Sequence, residues 1–331
     1  MGIKILDITQ IASSGFEEIP SKLYSKEFLS MVPNKVTADN FETAFFIPDK
    51  GRLVLYNNPN LYFNGEKAMA IGHFECVNEQ ETTNALLLTA ENKAKQLGAK
   101  WIIGPMNGST WDSYRFSLSH QSPNFFLEPY HHLYYNQLWL QAGFETISTY
   151  SSSVDRQMSL FNPEKLVSNQ KRMDEMGIVI RPIDLENYEM EIAKVHSFCE
   201  AVFNNNFLYT PISEREFVKK YIPIKGLIDP EYVLTAEDAY KNLVAIFFAV
   251  ADIYNKTLPT LIIKTIARNP RRDFAGITHL MCNIIIQKAK IGGYKQIIHA
   301  FMHDNNKSTG MSEKFSGEVF RQYALYGKQI H

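Results

Sequence analysis

The chain has 331 residues, 45% of them hydrophobic and 21% charged, which is enough apolar material for a packed core and excludes wholesale disorder. Its formal charge of -1 argues against broad electrostatic attachment to nucleic acid or to an anionic membrane surface. Three scattered cysteines, Cys76, Cys199 and Cys282, lack metal-ligand spacing, and no window approaches the roughly 18 apolar residues of a membrane span.

In chain order, residues 1–8 alternate as a strand does and lack the apolar centre of a signal peptide, so a cytoplasmic location is expected. A helical stretch near 21–31 precedes strands at 42–47 and 52–56. A strand at 68–77 leads through Asn78-Glu-Gln-Glu81 into a helix over 82–97, which Gly98 stops before a strand at 100–103. Strand, helix, glycine, strand is the signature of a crossover that sets two parallel strands side by side. Residues 111–116 and 125–135 are aromatic and polar, and 151–176 are polar and charged.

The second half repeats this order: a strand at 177–183, helices over 185–203 and 213–221, and strands at 232–236 and 242–253. A strand at 260–267 then runs into the basic loop Arg268-Asn-Pro-Arg-Arg-Asp-Phe-Ala-Gly276. A helix over 277–291, a Gly-Gly stop and a strand at 295–302 follow. The helix's first amides, its dipole and the charges of Arg271 and Arg272 converge on one point, which favours a phosphate-bearing ligand. The chain is therefore expected to hold two similar α/β domains, at residues 1–155 and 177–331, with 156–176 as a linker carrying a strand or short helix of its own.

These residues resemble the GNAT acyltransferase superfamily. Arg271-Arg-Asp-Phe-Ala-Gly276 is similar to its pyrophosphate loop, Arg/Gln-x-x-Gly-x-Gly/Ala, with Phe274 in place of the first glycine. Asn305 matches the Asn that opens the family's fourth helix, Ser312 stands where a Tyr is expected, and residues 319–326 resemble the terminal strand. The whole chain is similar to a group of bacterial tandem GNAT-like proteins. The matching blocks are Phe74-Glu-Cys-Val-Asn-Glu-Gln-Glu81, Gly104-Pro-Met-Asn107, Tyr134-Tyr135 with Ala142-Gly-Phe144, and Asp304-Asn305.

The resemblance implies two tandem acyl-CoA N-acyltransferase domains, each a mixed twisted sheet flanked by helices, and an N-acyltransferase activity, expected to be that of an N-acetyltransferase. The cofactor it implies is acetyl-CoA or another acyl-CoA, and the acceptor a small-molecule amine. The ligand's diphosphate would lie on Arg271, Arg272, Asp273, Phe274, Ala275, Gly276, Ile277 and Thr278, with Asn305 nearby. Its pantetheine arm would pair with backbone at Ile266 and Ala267. His299 and His303 are candidate bases, four apart on one strand, and Tyr326 is the candidate acid.

The first domain carries acids where a diphosphate needs cations, and is expected to be degenerate. Its Trp111, Arg115, Glu128, Tyr130, His131 and Tyr134 either line an acceptor pocket or pack a domain seam. His131-His132 is no convincing metal site, because neighbours in an extended chain point apart. Two other classes compete: a ligand-binding protein that keeps the fold without turnover, and an aminoacyltransferase that draws on aminoacyl-tRNA.

Overall fold

Strands form where β-branched and aromatic residues alternate or run together, and helices where apolar residues recur every three or four positions. The computed structural model describes residues 2–33, 35–120, 122–304 and 307–331. Two units emerge from its contacts: Met1–Tyr150 with Phe207–Thr210 and Arg321–His331, and Ser151–Asn206 with Pro211–Phe320.

The first unit begins with β1 (Lys4–Leu6), the short helices α1 (Ile19–Leu23) and α2 (Lys26–Leu29), β2 (Phe41–Ile47), β3 (Gly51–Tyr56) and β4 (Tyr62–Phe63). It continues through β5 (Glu66–Cys76), α3 (Gln80–Gln96), β6 (Trp101–Gly104), β7 (Phe116–Ser117), α4 (Tyr134–Gln141) and β8 (Glu145–Asp155), which enters the second unit at Ser151. In the second unit come α5 (Pro163–Glu175), β9 (Val179–Pro182), α6 (Tyr188–Phe203), α7 (Glu214–Tyr221), β10 (Val233–Glu237) and β11 (Leu243–Ala251). They are followed by β12 (Thr260–Arg268), α8 (Ile277–Ile291), β13 (Gln296–His303), α9 (Lys307–Lys314) and β14 (Glu318–Gln329).

Each unit has the same sheet logic. In the first, β1, β2, β3 and β5 pair antiparallel in turn, and β5 pairs parallel with β6. In the second, β9, β10, β11 and β12 pair antiparallel, and β12 pairs parallel with β13. The crossover helices pack on these sheets through one face. α3 buries Thr83, Leu86, Leu87, Ala90 and Ala94, and α8 buries Ile277, Leu280, Met281, Ile285, Ile286 and Ala289. Burying each large aliphatic side chain contributes about 1.5–3 kcal/mol, so both crossovers are anchored by their apolar stripes.

Three details differ from the sequence reading. The helical stretch near 21–31 is two helices, because Tyr24 turns extended (φ -117°, ψ 146°) and its hydroxyl donates to Glu75 at 2.6 Å. The tract read as a linker with a strand or short helix of its own holds α5, a 13-residue helix capped by Asn162 and grouped with the second unit. The terminal strand, read as part of the second domain, completes the first unit from Arg321 onward, pairing antiparallel with β6 at Tyr326↔Gly104 through Gln329↔Trp101. Periodicity marks a strand but does not say which sheet receives it.

Candidate functional site

In the second unit β12 and β13 run together only from Thr260↔Gln296 to Ile263↔His299. Beyond Ile263, β12 keeps its other neighbour, β11, as far as Arg268, and the edge turned toward β13 has no strand partner among the described residues. The register with β11 shifts between Phe248↔Thr265 and Ala249↔Ile263, which makes Lys264 the extra residue of a bulge. On β13, Phe301 has a left-handed backbone (φ 55°) and its N–H donates to the Ser152 hydroxyl at 3.1 Å. Bulges bend strands and break pairing. The two strands part here, with the Lys264 ammonium 4.5 Å from the centre of the Phe301 ring. Ile266 and Ala267 lie on the unpartnered stretch, opposite Phe247 and Ile246 of β11.

β12 delivers the chain into the basic loop. One Arg268 guanidinium nitrogen donates to the carbonyls of Asn269 (2.7 Å) and Arg271 (3.1 Å), and the Arg271 N–H donates to the Asn269 side chain (3.1 Å). After a single 3₁₀ turn, Arg272–Phe274, Gly276 takes φ 93° and α8 begins. The backbone N–H groups of Gly276, Ile277 and Thr278 donate to no acceptor among the described residues. Three orphan donors at the positive end of a 15-residue helix fit an anion.

Cations act on the first turn of α8. Arg271 is paired with Asp273 at 2.8 Å, both exposed, whereas Arg272 has no ion-pair partner among the described residues. Burial, followed by the charges of Lys314, Lys165 and Arg268, holds the His279 imidazole on the first turn of α8 below its usual pKa. Lys165, Arg268 and Lys314 thus bear on the same helix end. Sequence reading placed Arg268, Arg271 and Arg272 in the basic loop and missed Lys165 and Lys314, since Lys165 lies about a hundred residues upstream in α5.

Phe274 occupies the position of the family's first loop glycine, but its ring is 5% exposed and packs in the second unit's core with Met173, Leu280 and Phe315. It anchors the loop from beneath. α5 covers part of the loop: Arg172 donates to the Ala275 carbonyl, and the Asn169 amide lies against Gly276, where any β-carbon would collide with it.

At the point where the strands part, His299 is buried (8% exposed) and its Nδ1 lies 2.7 Å from the Ser312 hydroxyl. Burial alone pushes the imidazole down to about 4, so it is neutral at pH 7. His303 is half-buried at the end of β13, and the left-handed Phe301 interrupts the alternation that put both histidines on one face. Asn305 lies outside the described residues. Tyr326 belongs to the first unit, where its hydroxyl donates to Asn136 at 2.8 Å and burial raises it to about 12.

The first unit has the same beginnings of a site, closed by its own chain. Parallel pairing of β5 with β6 runs from Ala68↔Trp101 to Ala70↔Ile103. Past it the Met106 N–H donates to Ile71 (2.7 Å) and the Asn107 side chain accepts the His73 N–H (2.9 Å). Asn107 packs so closely on Gly72 that a β-carbon has no room. At the start of α3, Glu79 is paired with Lys50 at 2.6 Å, so the helix end presents a carboxylate.

The six aromatic and polar residues considered for an acceptor pocket are all engaged inside this unit. The Arg115 guanidinium lies 3.8 Å and 4.4 Å from the Tyr114 and Tyr150 ring centres, and Trp111 donates to the Thr210 carbonyl at 2.8 Å. Glu128 pairs with Arg321 at 3.1 Å and accepts from Tyr323 at 2.6 Å. Tyr130 stacks on Phe28 (4.2 Å), the His131 Nε2 accepts the Ser117 N–H (2.6 Å), and Tyr134 donates to the Cys76 carbonyl (2.8 Å).

A buried carboxyl that sequence reading missed is Glu75, fully enclosed, which accepts from Tyr24 (2.6 Å) and Tyr135 (2.8 Å). Burial raises it to about 7, against the lowering effect of Arg52 and the two hydroxyls. Among the described residues no group of His, Cys, Asp and Glu could hold a metal ion, and no helix is long and apolar enough to cross a membrane.

Solved structures share this fold along the whole chain. A GCN5-related glucosamine N-acetyltransferase region of a fungal multi-domain GH3 beta-N-acetylglucosaminidase superposes with TM-score 0.54 at 11% identity; it matches 99% of this chain, which spans 38% of that protein's length. A tandem GNAT protein from the clavulanic acid biosynthesis pathway gives 0.54 at 8% identity over 100% and 99% of the two chains. A GCN5-related N-acetyltransferase from Sphaerobacter thermophilus gives 0.52 at 10% identity over 99% and 96%. No family model matches the chain, and no curated protein matches its sequence. The chain therefore has the tandem GNAT fold expected from its motifs.

Proposed function

We propose that the second unit binds acyl-CoA and that the protein transfers the acyl group to the nitrogen of a small amine. The observation that carries this reading is the trio of N–H groups at Gly276, Ile277 and Thr278 that find no acceptor among the described residues, with Arg272 in the loop just before them and the charges of Lys165, Arg268 and Lys314 acting on the first turn of α8. A diphosphate is the anion these groups suit: it spans several donors and carries more than one charge. Arg272 and the α8 amides hold it, and the unpartnered edge of β12 from Thr265 to Ala267 offers backbone groups to an amide-bearing arm. An acyl-CoA supplies a thioester, an acyl group already activated toward nitrogen. The similar structures support the reading by name, since two are called N-acetyltransferases and the third is described without AcCoA. Asn107 and Glu79 close the corresponding positions of the first unit, which leaves one candidate site among the described residues.

The test is a thermal melt with CoA or acetyl-CoA, followed by thiol release from acetyl-CoA over a panel of amines. A ligand at a hundred times its Kd adds about 2.7 kcal/mol, so a rise in Tm and amine-dependent thiol release are expected. A rise without release would leave a binding protein. No rise would overturn the proposal.

A further inference from the structure

The pair His299–Ser312 sits where β12 and β13 separate, since Ile263↔His299 is the last parallel pair. Ser312 is 5% exposed, and among the described residues its hydroxyl makes one hydrogen bond, to the Nδ1 of His299 at 2.7 Å. Gly317 closes over this bond: a β-carbon there would overlap the Ser312 hydroxyl and come within 3.0 Å of Nδ1. A hydroxyl so enclosed is out of reach of a thioester carbon, so Ser312 is no nucleophile.

Its proton, however, decides the tautomer of the histidine. A buried O–H that donates to nothing is costly, and Nδ1 is the acceptor it meets among the described residues. Ser312 therefore donates, Nδ1 accepts, and the ring proton resides on Nε2, which makes no hydrogen bond with any described residue.

We propose that His299 is the hydrogen-bond donor of the site and Ser312 its positioning residue, with Nε2–H directed to the carbonyl oxygen that gains negative charge as the amine adds to the thioester. This rests on the acyl-CoA reading above. In the transfer the nitrogen–carbon bond forms, the carbon–sulfur bond breaks, and the proton lost by nitrogen reaches the departing sulfur by way of water. His299 gives up no proton; a neutral imidazole suffices as an electrophile. The assignment changes the role expected from sequence, a base, into that of a donor.

The experiment combines a readout that needs no turnover with one that does. In protein labelled with ¹⁵N-histidine, two-bond ¹H–¹⁵N correlation should show His299 as the Nε2–H tautomer at pH 7, and Ser312→Ala should give a mixture of tautomers. With acetyl-CoA and an accepted amine, His299→Ala should lower kcat by about 10²-fold with KM for acetyl-CoA little changed. His299→Gln, whose amide nitrogen can replace Nε2–H, should recover part of the loss, and Ser312→Ala should lower kcat less than His299→Ala. A wild-type Nδ1–H tautomer, or wild-type kcat in His299→Ala, overturns this assignment and leaves the proposed function standing. Absence of amine-dependent thiol release from the wild type overturns both.

Discussion

The Asn107 side chain accepts the backbone N–H of His73 at 2.9 Å and thereby closes the gap between β5 and β6 that its counterparts β12 and β13 leave unpaired. His73 is the left-handed residue (φ 47°) of the β5 bulge, so its N–H has lost its place in the ladder and takes a side chain instead. Asn107→Ala should leave that buried donor without a partner and destabilise the protein by about 1–3 kcal/mol, read as a lower urea midpoint. An unchanged midpoint would show that the contact adds nothing.

Glu75 gives a pH signature. Its folded pKa of about 7 stands above the usual 4.5, so between these values the folded state binds more protons than the unfolded state. Stability should therefore fall as pH rises from about 4.5 to about 7, by on the order of 3 kcal/mol at most. The groups facing it are Tyr24, Tyr135 and Arg52. Glu75→Gln, neutral at every pH, should flatten this part of the stability profile; an equally steep profile in the variant would assign the slope to other groups.

Arg321 and Glu128 are fully buried and 3.1 Å apart, and they tie the terminal strand to the loop before α4. Breaking a buried pair from one side typically costs about 3–5 kcal/mol, because the remaining charge is stranded. Glu128→Gln and Arg321→Met should each be strongly destabilising, and the double variant less so than the sum. Additive losses in chemical denaturation would mean that the two side chains do not interact. Because Tyr323 and Tyr326 of the same strand are also buried in the first unit, deleting residues 321–331 should prevent that unit from folding, seen as loss of its near-ultraviolet circular dichroism.

Phe274 is a core residue at a position where the family resemblance leads one to expect glycine. Phe274→Ala should cost about 3–5 kcal/mol in stability by opening a cavity. If the variant instead kept its stability and bound CoA more tightly, the ring would be an obstacle in the site.

Much of the architecture was legible in the sequence. The helix over 277–291 coincides with α8, because its apolar stripe is strict and Gly276 and Gly292 punctuate its ends. The Arg271–Gly276 motif marked the helix end where orphan amides are found. What periodicity could not reveal is long-range: that Arg321–His331 joins the first unit, or that Lys165 of α5 bears on the α8 terminus. Nor does spacing distinguish Phe274 turned into the core from Phe274 turned into a ligand's path; only the packing with Met173 and Leu280 decides that. Ser312 reads as a loss when taken alone and as half of a pair once His299 is seen beside it.

The most direct measurement is a calorimetric titration of the protein with CoA and, separately, with pantetheine, which lacks the diphosphate and nucleotide. Saturable binding of CoA is expected, none of pantetheine at the same concentrations, and loss of CoA binding in Arg268→Glu and Arg272→Glu variants that still melt cooperatively. Equal binding of CoA and pantetheine, or undiminished CoA binding in both charge-reversed variants, would contradict the assignment of the α8 amino end as the diphosphate site.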